Sequence, residues 1–249
     1  MLSILIPVYN INCVSLVKKL HEMALLLKSP FEILLADDAS NERIKNENRV
    51  LNQLDECSIF ELETNYGPAF IRNYLAEKAC YPYLLFLDTD TMPIRDNFLS
   101  LYLSYASKQA VCGGFYYQKT NGSVLRYKYG MQVESQPVAE RCKHPHQHFI
   151  GMNFFISKEL FLRVLFDETL HFGYEDAAFG KRLEEAGIPV LHIDNPVWHL
   201  VEEDACAFLD KTRRSVRNLL GHEQELLSYV RLLRWYDKLK RLHAVALTA

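Results

Sequence analysis

Over the first hundred residues, short apolar runs alternate with longer stretches of helical periodicity. No other feature narrows the possible folds as much. Residues 2–8, 31–36, 57–62 and 83–87 read as strands, and 13–28, 41–54, 68–79 and 96–107 as helices. Strand–helix–strand repeats wind into right-handed crossovers around a parallel sheet. Past residue 110 the alternation loosens. Further strands are expected at 110–116, 148–156, 189–193 and 196–200, and helices at 157–165, 175–187 and within 203–243. Segment 117–148 is polar, carries Gly122 and Gly130, and reads as a hairpin or a long functional loop. At 249 residues the chain is expected to form one large α/β body over 1–202 with a helical extension over 203–249.

Composition excludes several classes. The chain is 49% hydrophobic and 24% charged, ordinary for a water-soluble domain. Its six cysteines form no C-x-x-C pair, so neither a disulfide framework nor a zinc knuckle is expected, and reduced thiols in a cytoplasm are. The apolar start, Met1 to Ile6, lacks a basic leader and reads as a first strand. No run approaches 18 apolar residues, so no membrane span is expected. Charge is unevenly placed. Lys211–His243 holds nine Lys/Arg against three Asp/Glu, a net of +6, while the rest carries −9. An acidic body without a groove-reading motif argues against nucleic acid as a partner.

The run Leu84-Leu85-Phe86-Leu87-Asp88-Thr89-Asp90 couples a buried strand to two carboxylates at its C-terminal end. Ligands of open α/β sheets bind beyond that edge. Carboxylates two apart on an extended chain point to opposite faces, so a turn at Thr89 is required if both meet one ligand. A divalent cation carrying phosphate oxygens is the ligand such a pair suits. The first two strands end in Pro7-Val8-Tyr9-Asn10 and Asp37-Asp38-Ala39-Ser40, on the same edge. Tyr9 suits packing on a pyrimidine, and Asp38 suits a ring N–H. Gly67-Pro68 opens a helix that carries Arg72 one turn in, a partner for carboxylate or phosphate.

In order, P-V-Y-N, D-D-A-S, N-x-G-x-A-x-x-R-N, D-x-D and Glu175-Asp176 resemble glycosyltransferase family 2 over roughly residues 1–200. The resemblance implies a GT-A nucleotide-diphospho-sugar transferase fold, with a mostly parallel central sheet flanked by helices. It implies that Pro7, Tyr9, Asp38, Arg72 and Asp88 serve the nucleotide, with Asp88 and Asp90 meeting the ribose and the metal-bound pyrophosphate. It also implies that Asp176 is the general base. The family commonly has Gly where Ala39 stands.

One base without a partner nucleophile fits a single inverting displacement, since retention needs a second carboxylate near the anomeric carbon. Glu175 is adjacent, but neighbouring side chains on a helix diverge, so acceptor binding is its expected role. His199 stands where a histidine completes the metal shell in several GT-A enzymes, and imidazole suits Mn²⁺ beside carboxylate. The expected cofactor is thus Mn²⁺ or Mg²⁺ on Asp90 and His199. The expected donor is a UDP sugar, with dTDP and GDP open, and the acceptor a glycan or lipid-linked hydroxyl in polysaccharide biosynthesis. His144-Pro145-His146-Gln147-His148 reads as an acceptor-side loop.

Two alternatives stand beside this reading. Asp88-Thr89-Asp90-Thr91 also matches the D-x-D-x-T motif of haloacid-dehalogenase phosphatases, with Asp88 as nucleophile. A nucleotide-sugar-binding module without turnover would keep the same pocket. In the tail, Val216, Leu219, Leu220, Leu226, Leu227, Val230 and Leu233 recur at roughly helical spacing. That stripe suits packing on the body. Trp235 and Tyr236 among basic residues also suit peripheral contact with the inner face of a membrane through 211–243. Arg231-Leu232-Leu233-Arg234-Trp235 matches the R-x-x-R-W form found in processive polysaccharide synthases, and is read as coincidence.

Overall fold

The structure is a computed structural model that describes residues 1–106, 109–118, 124–200 and 204–241, the side chains of 124, 125 and 241 aside. In chain order its strands are β1 (Leu2–Val8), β2 (Phe31–Asp37), β3 (Cys57–Glu61), β4 (Tyr83–Leu87), β5 (Thr91–Pro93), β6 (Ala110–Cys112), β7 (Phe115–Tyr117), β8 (Asn153–Ser157), β9 (Val190–His192) and β10 (Val197–His199). Helices α1 (Val14–Leu25), α2 (Glu42–Asn48), α3 (Pro68–Lys78) and α4 (Phe98–Ser104) lie within the first half. They are followed by α5 (Val124–Tyr129), α6 (Val138–Arg141), α7 (Lys158–Val164) and α8 (Glu175–Glu185). The C-terminal helices are α9 (Ala205–Leu219), α10 (Glu223–Leu226) and α11 (Arg231–Arg241).

The main sheet runs β3-β2-β1-β4-β8-β6-β9. The pairs among β1 to β4 are parallel, as the alternation predicts, whereas β8 runs antiparallel to both β4 and β6. Strand Leu84–Leu87 is fully buried. On one side of the sheet an aromatic cluster holds β4 to β8, α7 and α8. Phe86 stacks on Phe154 at 4.6 Å, and Phe166 on Phe179 at 4.1 Å. Removing such a buried ring costs about 3–5 kcal/mol, so α8 is anchored firmly behind the sheet edge.

Three departures from expectation matter for the site. The single strand expected at 110–116 is two strands, β6 in the main sheet and β7 in a second sheet of order β5-β10-β7. Gly114 (φ +88) makes the break, a conformation where a side chain is strained. The strand expected at 148–156 begins only at Asn153, because 148–152 turn over the start of α8. Segment 117–148 is not a plain hairpin or loop. It carries α5, a π-helical turn at Gly130–Glu134 and α6, tied together by Arg126 on Glu134 and on Tyr117. Residues 119–123 of that segment lie outside the described residues, as do 242 and 243 of the expected tail contact.

Candidate active site

Parallel register brings the C-terminal ends of β1, β2 and β4 to one edge, with Val8 paired to Asp37. A cavity of about 370 Å³ opens there. Pro7, Tyr9, Asp38, Arg72, Asp88, Asp90 and Glu175 all border it. The first two strand ends are braced to each other by short-range bonds. Asp37 accepts the Ser40 N–H at 2.7 Å, Ser40 Oγ accepts the Asn10 N–H at 2.7 Å, and Asn10 Oδ1 accepts the Asn41 N–H at 2.9 Å. Ala39 sits at φ +62, where a Cβ costs about 1–2 kcal/mol. Tyr9 is half exposed at the cavity mouth. Asp38 accepts the backbone N–H groups of Tyr66 and Gly67 at 2.7 and 2.8 Å, fixing the loop that opens α3. Burial raises its pKa against the lowering effect of those two bonds. A carboxylate offers about four lone-pair positions, so capacity remains for one more donor.

After β4 the chain turns as required. Asp88 carbonyl accepts the Thr91 N–H at 3.2 Å and the Thr91 hydroxyl at 2.7 Å, so Asp88 and Asp90 border the same cavity. Arg72 lies buried between acids: Nη2 donates to Asp88 at 2.8 Å and Nη1 to Glu175 at 3.3 Å, while its guanidinium lies 5.3 Å from the Phe166 ring centroid. Burial alone would lower the Arg72 pKa, but Asp88, Asp176 and Glu175 outweigh it and push it up. Cutting one partner from a buried pair of this kind costs about 3–5 kcal/mol.

Asp90 and His199 meet although 109 residues separate them. Antiparallel pairing of β10 with β5 sets His199 opposite Thr91, and the Leu200 N–H donates to the Asp90 carbonyl at 2.7 Å. His199 Nε2 then lies 3.1 Å from Asp90 Oδ2. Burial would raise Asp90, but the His199 hydrogen bond and charge, with Lys211 nearby, hold it below the usual carboxylate value. Two neighbouring ligands on an ion with bonds of about 2.1 Å sit about 3 Å apart, so this pair fits one divalent ion. Carboxylate with imidazole suits Mn²⁺. The His199 Nδ1 is buried, and none of the described residues accepts or donates a hydrogen bond there. No group of three or more His, Cys, Asp or Glu among the described residues is placed to hold a metal ion, so an ion on Asp90 and His199 would draw further ligands from a bound diphosphate or water.

At the start of α8 the two acids part company. Tyr174 enters the helix in the left-handed conformation (φ +65), a strained entry of the kind found at functional sites. Glu175 turns into the first cavity against Arg72. The residue expected to bind the acceptor thus borders the same cavity as Asp38, Asp88 and Asp90, with its carboxylate held by Arg72. Asp176 turns into a second cavity of about 310 Å³, bordered by Val133, Glu134, Gln147, His148 and Met152. Its Oδ2 accepts the Gly151 N–H at 3.1 Å, and its Oδ1 is buried without a partner. A Cβ on Gly151 would lie 2.1 Å from that Oδ1, so only glycine admits the carboxylate. Burial, then Glu175, raises the Asp176 pKa to about 7, with Arg72 opposing. A carboxylate that borders a cavity and whose pKa is raised to about 7 is suited to take a proton.

The second cavity draws on the segment that was hard to read. Gln147 and His148 of the histidine-rich loop border it, while His146 is bound to the Ile188 carbonyl at 2.9 Å. The loop is thus part wall and part anchor. Among the residues of the first cavity that sequence reasoning missed are Lys211, Arg214 and Ser215, all on α9. Arg214 lies 4.5 Å from the ring centroid of Phe172, and Asn218 donates to the Gly173 carbonyl at 3.1 Å. The excess of basic residues from 211 onward is the available signal, but charge alone does not tell a solvated face from one that turns into a cavity.

Comparison with known proteins agrees with this geometry. The family model described as glycosyl transferase family 2 matches residues 3–165. A Haemophilus influenzae glycosyltransferase is 33% identical over 101 residues, 39% of this chain and 39% of that protein. Among solved structures, mannosyltransferase PcManGT from Pyrobaculum calidifontis, in complex with GDP-Man and Mn²⁺, aligns with TM-score 0.64 at 17% identity. That alignment covers 91% of this chain and 64% of PcManGT, so the chain spans under two thirds of either protein's length. S. aureus TarS 1-349 in complex with UDP-GlcNAc aligns with TM-score 0.56 at 15% identity, covering 92% of this chain and 71% of that one. At such identities the likeness is one of fold, GT-A. The family match spans the motifs before residue 88 that the phosphatase alternative leaves idle, and removes that alternative.

Proposed function

The chain belongs to glycosyltransferase family 2, and from that premise we propose that it is an inverting, metal-dependent, non-processive glycosyltransferase that moves a sugar from a nucleotide sugar to an acceptor hydroxyl. One observation carries the reading: adjacent carboxylates open on different cavities, Glu175 on the first and Asp176 on the second. A single displacement needs a donor held on one side and a deprotonated acceptor delivered from the other. The first cavity supplies nucleotide contacts from Pro7, Tyr9, Asp38 and Asp88. Arg72, fixed by Glu175, keeps Asp88 oriented. Asp176 takes the acceptor proton, a contribution of about 10²–10⁴ in rate. Glu175, tied to Arg72, is not free to act as a nucleophile, which favours inversion.

Mn²⁺ or Mg²⁺ on Asp90 and His199 would act as a Lewis acid for the charge gathering on the departing diphosphate. The complex of PcManGT with GDP-Man and Mn²⁺ and those of TarS with UDP and UDP-GlcNAc support a nucleotide-sugar donor and a divalent ion. Uracil is favoured because Asp38 suits its N3–H. The acceptor is a glycan or lipid-linked hydroxyl in polysaccharide synthesis, seated in the second cavity. The catalytic body spans 1–202, with the 203–249 extension contributing Lys211 and Arg214 to the donor. Free thiols at all six cysteines favour a cytoplasmic setting.

A thermal-shift screen tests the reading. UDP, dTDP, GDP and their sugars are added with and without Mn²⁺. A ligand at a hundredfold its Kd stabilises by about 2.7 kcal/mol. The expected result is a metal-dependent rise in Tm with a nucleotide sugar and transfer to a hydroxyl acceptor. Metal-independent binding would contradict the metal's role, and binding without hydrolysis or transfer would return the chain to a non-catalytic module.

A further inference from the structure

Two faces of the C-terminal helices do different work. Leu219, Leu226, Val230 and Leu233 are buried against Leu170 of the body and Ala178 of α8. Those contacts anchor α11, yet α11 keeps a second apolar stripe that stands about half exposed among the described residues. Leu232, Trp235, Tyr236 and Leu239 are 45, 52, 45 and 43% exposed. Their spacing of three, four and seven residues puts them on one face of the helix. At 100° per residue, Arg231 and Lys238 flank that stripe on one side and Lys240 on the other. The helix carries five Lys/Arg and one acidic residue, Asp237. No helix among the described residues is long and apolar enough to cross a membrane, so the stripe is not part of a span.

Among the described residues, a surface cavity of about 260 Å³ is bordered by Arg231, Arg234, Trp235 and Lys238. Three cations and an indole around one hollow form a site for an anionic head group beside an apolar anchor. Lys238 Nζ lies 5.7 Å from the Trp235 ring centroid, which keeps the cation next to the stripe.

We propose that α11 lies in the plane of an anionic lipid surface, with Leu232, Trp235, Tyr236 and Leu239 in the acyl boundary and Arg231, Arg234 and Lys238 on lipid phosphates. Aromatic and leucine side chains at the interface, with basic flanks, give reversible attachment that salt weakens. Each basic residue near such a surface strengthens attachment about fivefold. The proposal does not depend on the transfer reaction. It concerns a face distant in role from both cavities, and would bring a transferase to an acceptor held at a membrane.

The test is co-sedimentation of the full chain with vesicles of phosphatidylcholine, with or without phosphatidylglycerol. Transfer or nucleotide binding in solution is measured in parallel. Partition to the anionic vesicles alone, reversed by salt, is expected. Trp235→Ser with Leu239→Ser, and separately Arg231→Glu with Lys238→Glu, should each weaken it at least tenfold and leave soluble nucleotide binding unchanged. Circular dichroism checks that the variants stay folded. Equal partition to both vesicle types, no partition, or partition indifferent to these substitutions would overturn the proposal. So would a dimer in sedimentation velocity that the serine variants dissolve, because the stripe would then cover a second copy. Loss of soluble transfer with partition intact would count against the proposed reaction and leave the lipid contact standing.

Discussion

The two cavities that meet at the start of α8 are built in opposite ways. The first stands on the ends of parallel strands and is stiffened by backbone-to-side-chain bonds at Asp37, Asp38, Ser40 and Asn10. The second is bounded by a helical excursion between β7 and β8 and by the histidine-rich loop. A rim made of strand ends places polar groups reproducibly, which suits the constant part of a substrate, a nucleotide diphosphate. A wall made of connecting segments can change without disturbing the sheet, which suits the variable part, an acceptor. Glu175 and Asp176 are one residue apart and divide between the two, so the comparison can be broken at either acid.

The largest effect is expected at Asp176. Asp176→Asn should lower kcat by about 10² or more, near 3 kcal/mol of barrier, with nucleotide Kd within about twofold. Isothermal titration beside initial rates checks this, and unchanged turnover would remove the base from the second cavity. The same residue sets a pH dependence. As a base it must be ionised, so kcat/KM should climb as pH rises towards about 7 and level off above it. Its folded pKa lies above the unfolded carboxylate value, so its contribution to stability is present at low pH and is lost as pH rises through about 7. Asp176→Asn should therefore raise Tm more at pH 8 than at pH 5.

The metal pair comes next. Asp90→Ala or His199→Ala should weaken Mn²⁺-dependent nucleotide diphosphate binding by about tenfold or more, roughly 1.4 kcal/mol. Metal-independent binding of the free nucleoside should stay level. Equal diphosphate affinity with and without Mn²⁺ in the unmodified protein would contradict the pair's role. A smaller effect belongs to α9. Lys211→Ala with Arg214→Ala should raise the donor KM several-fold, by roughly 1 kcal/mol, and flatten its salt dependence, leaving nucleoside binding alone. If acceptor KM moved instead, α9 would serve the other cavity.

The smallest lies in the rim itself. Ala39 occupies φ +62. Ala39→Gly should relieve about 1–2 kcal/mol of strain and lose up to about 1 kcal/mol to chain entropy. A net rise in Tm of a degree or two is expected, and a fall would show that the Ala39 methyl makes contacts worth more than the strain.

The contrast between the cavities is also a contrast in legibility. Leu84 to Asp90 announced both the buried strand and the turn, because apolar run and acidic turn are local signals. Pro7, Tyr9, Asp38 and Arg72 were legible as strand ends and a helix start, for the same reason. The partnership of Asp90 with His199 rests on β5 pairing with β10 across most of the chain, and no local pattern encodes such a pairing. The split of 110–116 into two sheets hinged on Gly113-Gly114, where a pair of small residues was absorbed into an apolar run. The helices of 124–141 do not stand out from a hairpin or long loop because their apolar positions keep no single period and their order comes from Arg126, Glu134 and Tyr117 bonding to one another. Lys211 and Arg214 were visible as charge, but only the docking of Asn218 on Gly173 shows that this charge turns inward.

The most direct test of the division between cavities is a crystal structure with Mn²⁺ and a uridine diphosphate sugar. Metal density between Asp90 and His199 is predicted, with uracil between Tyr9 and Asp38 and the sugar's open face turned to Asp176. Nucleotide density in the second cavity, or metal remote from the Asp90–His199 pair, would contradict it.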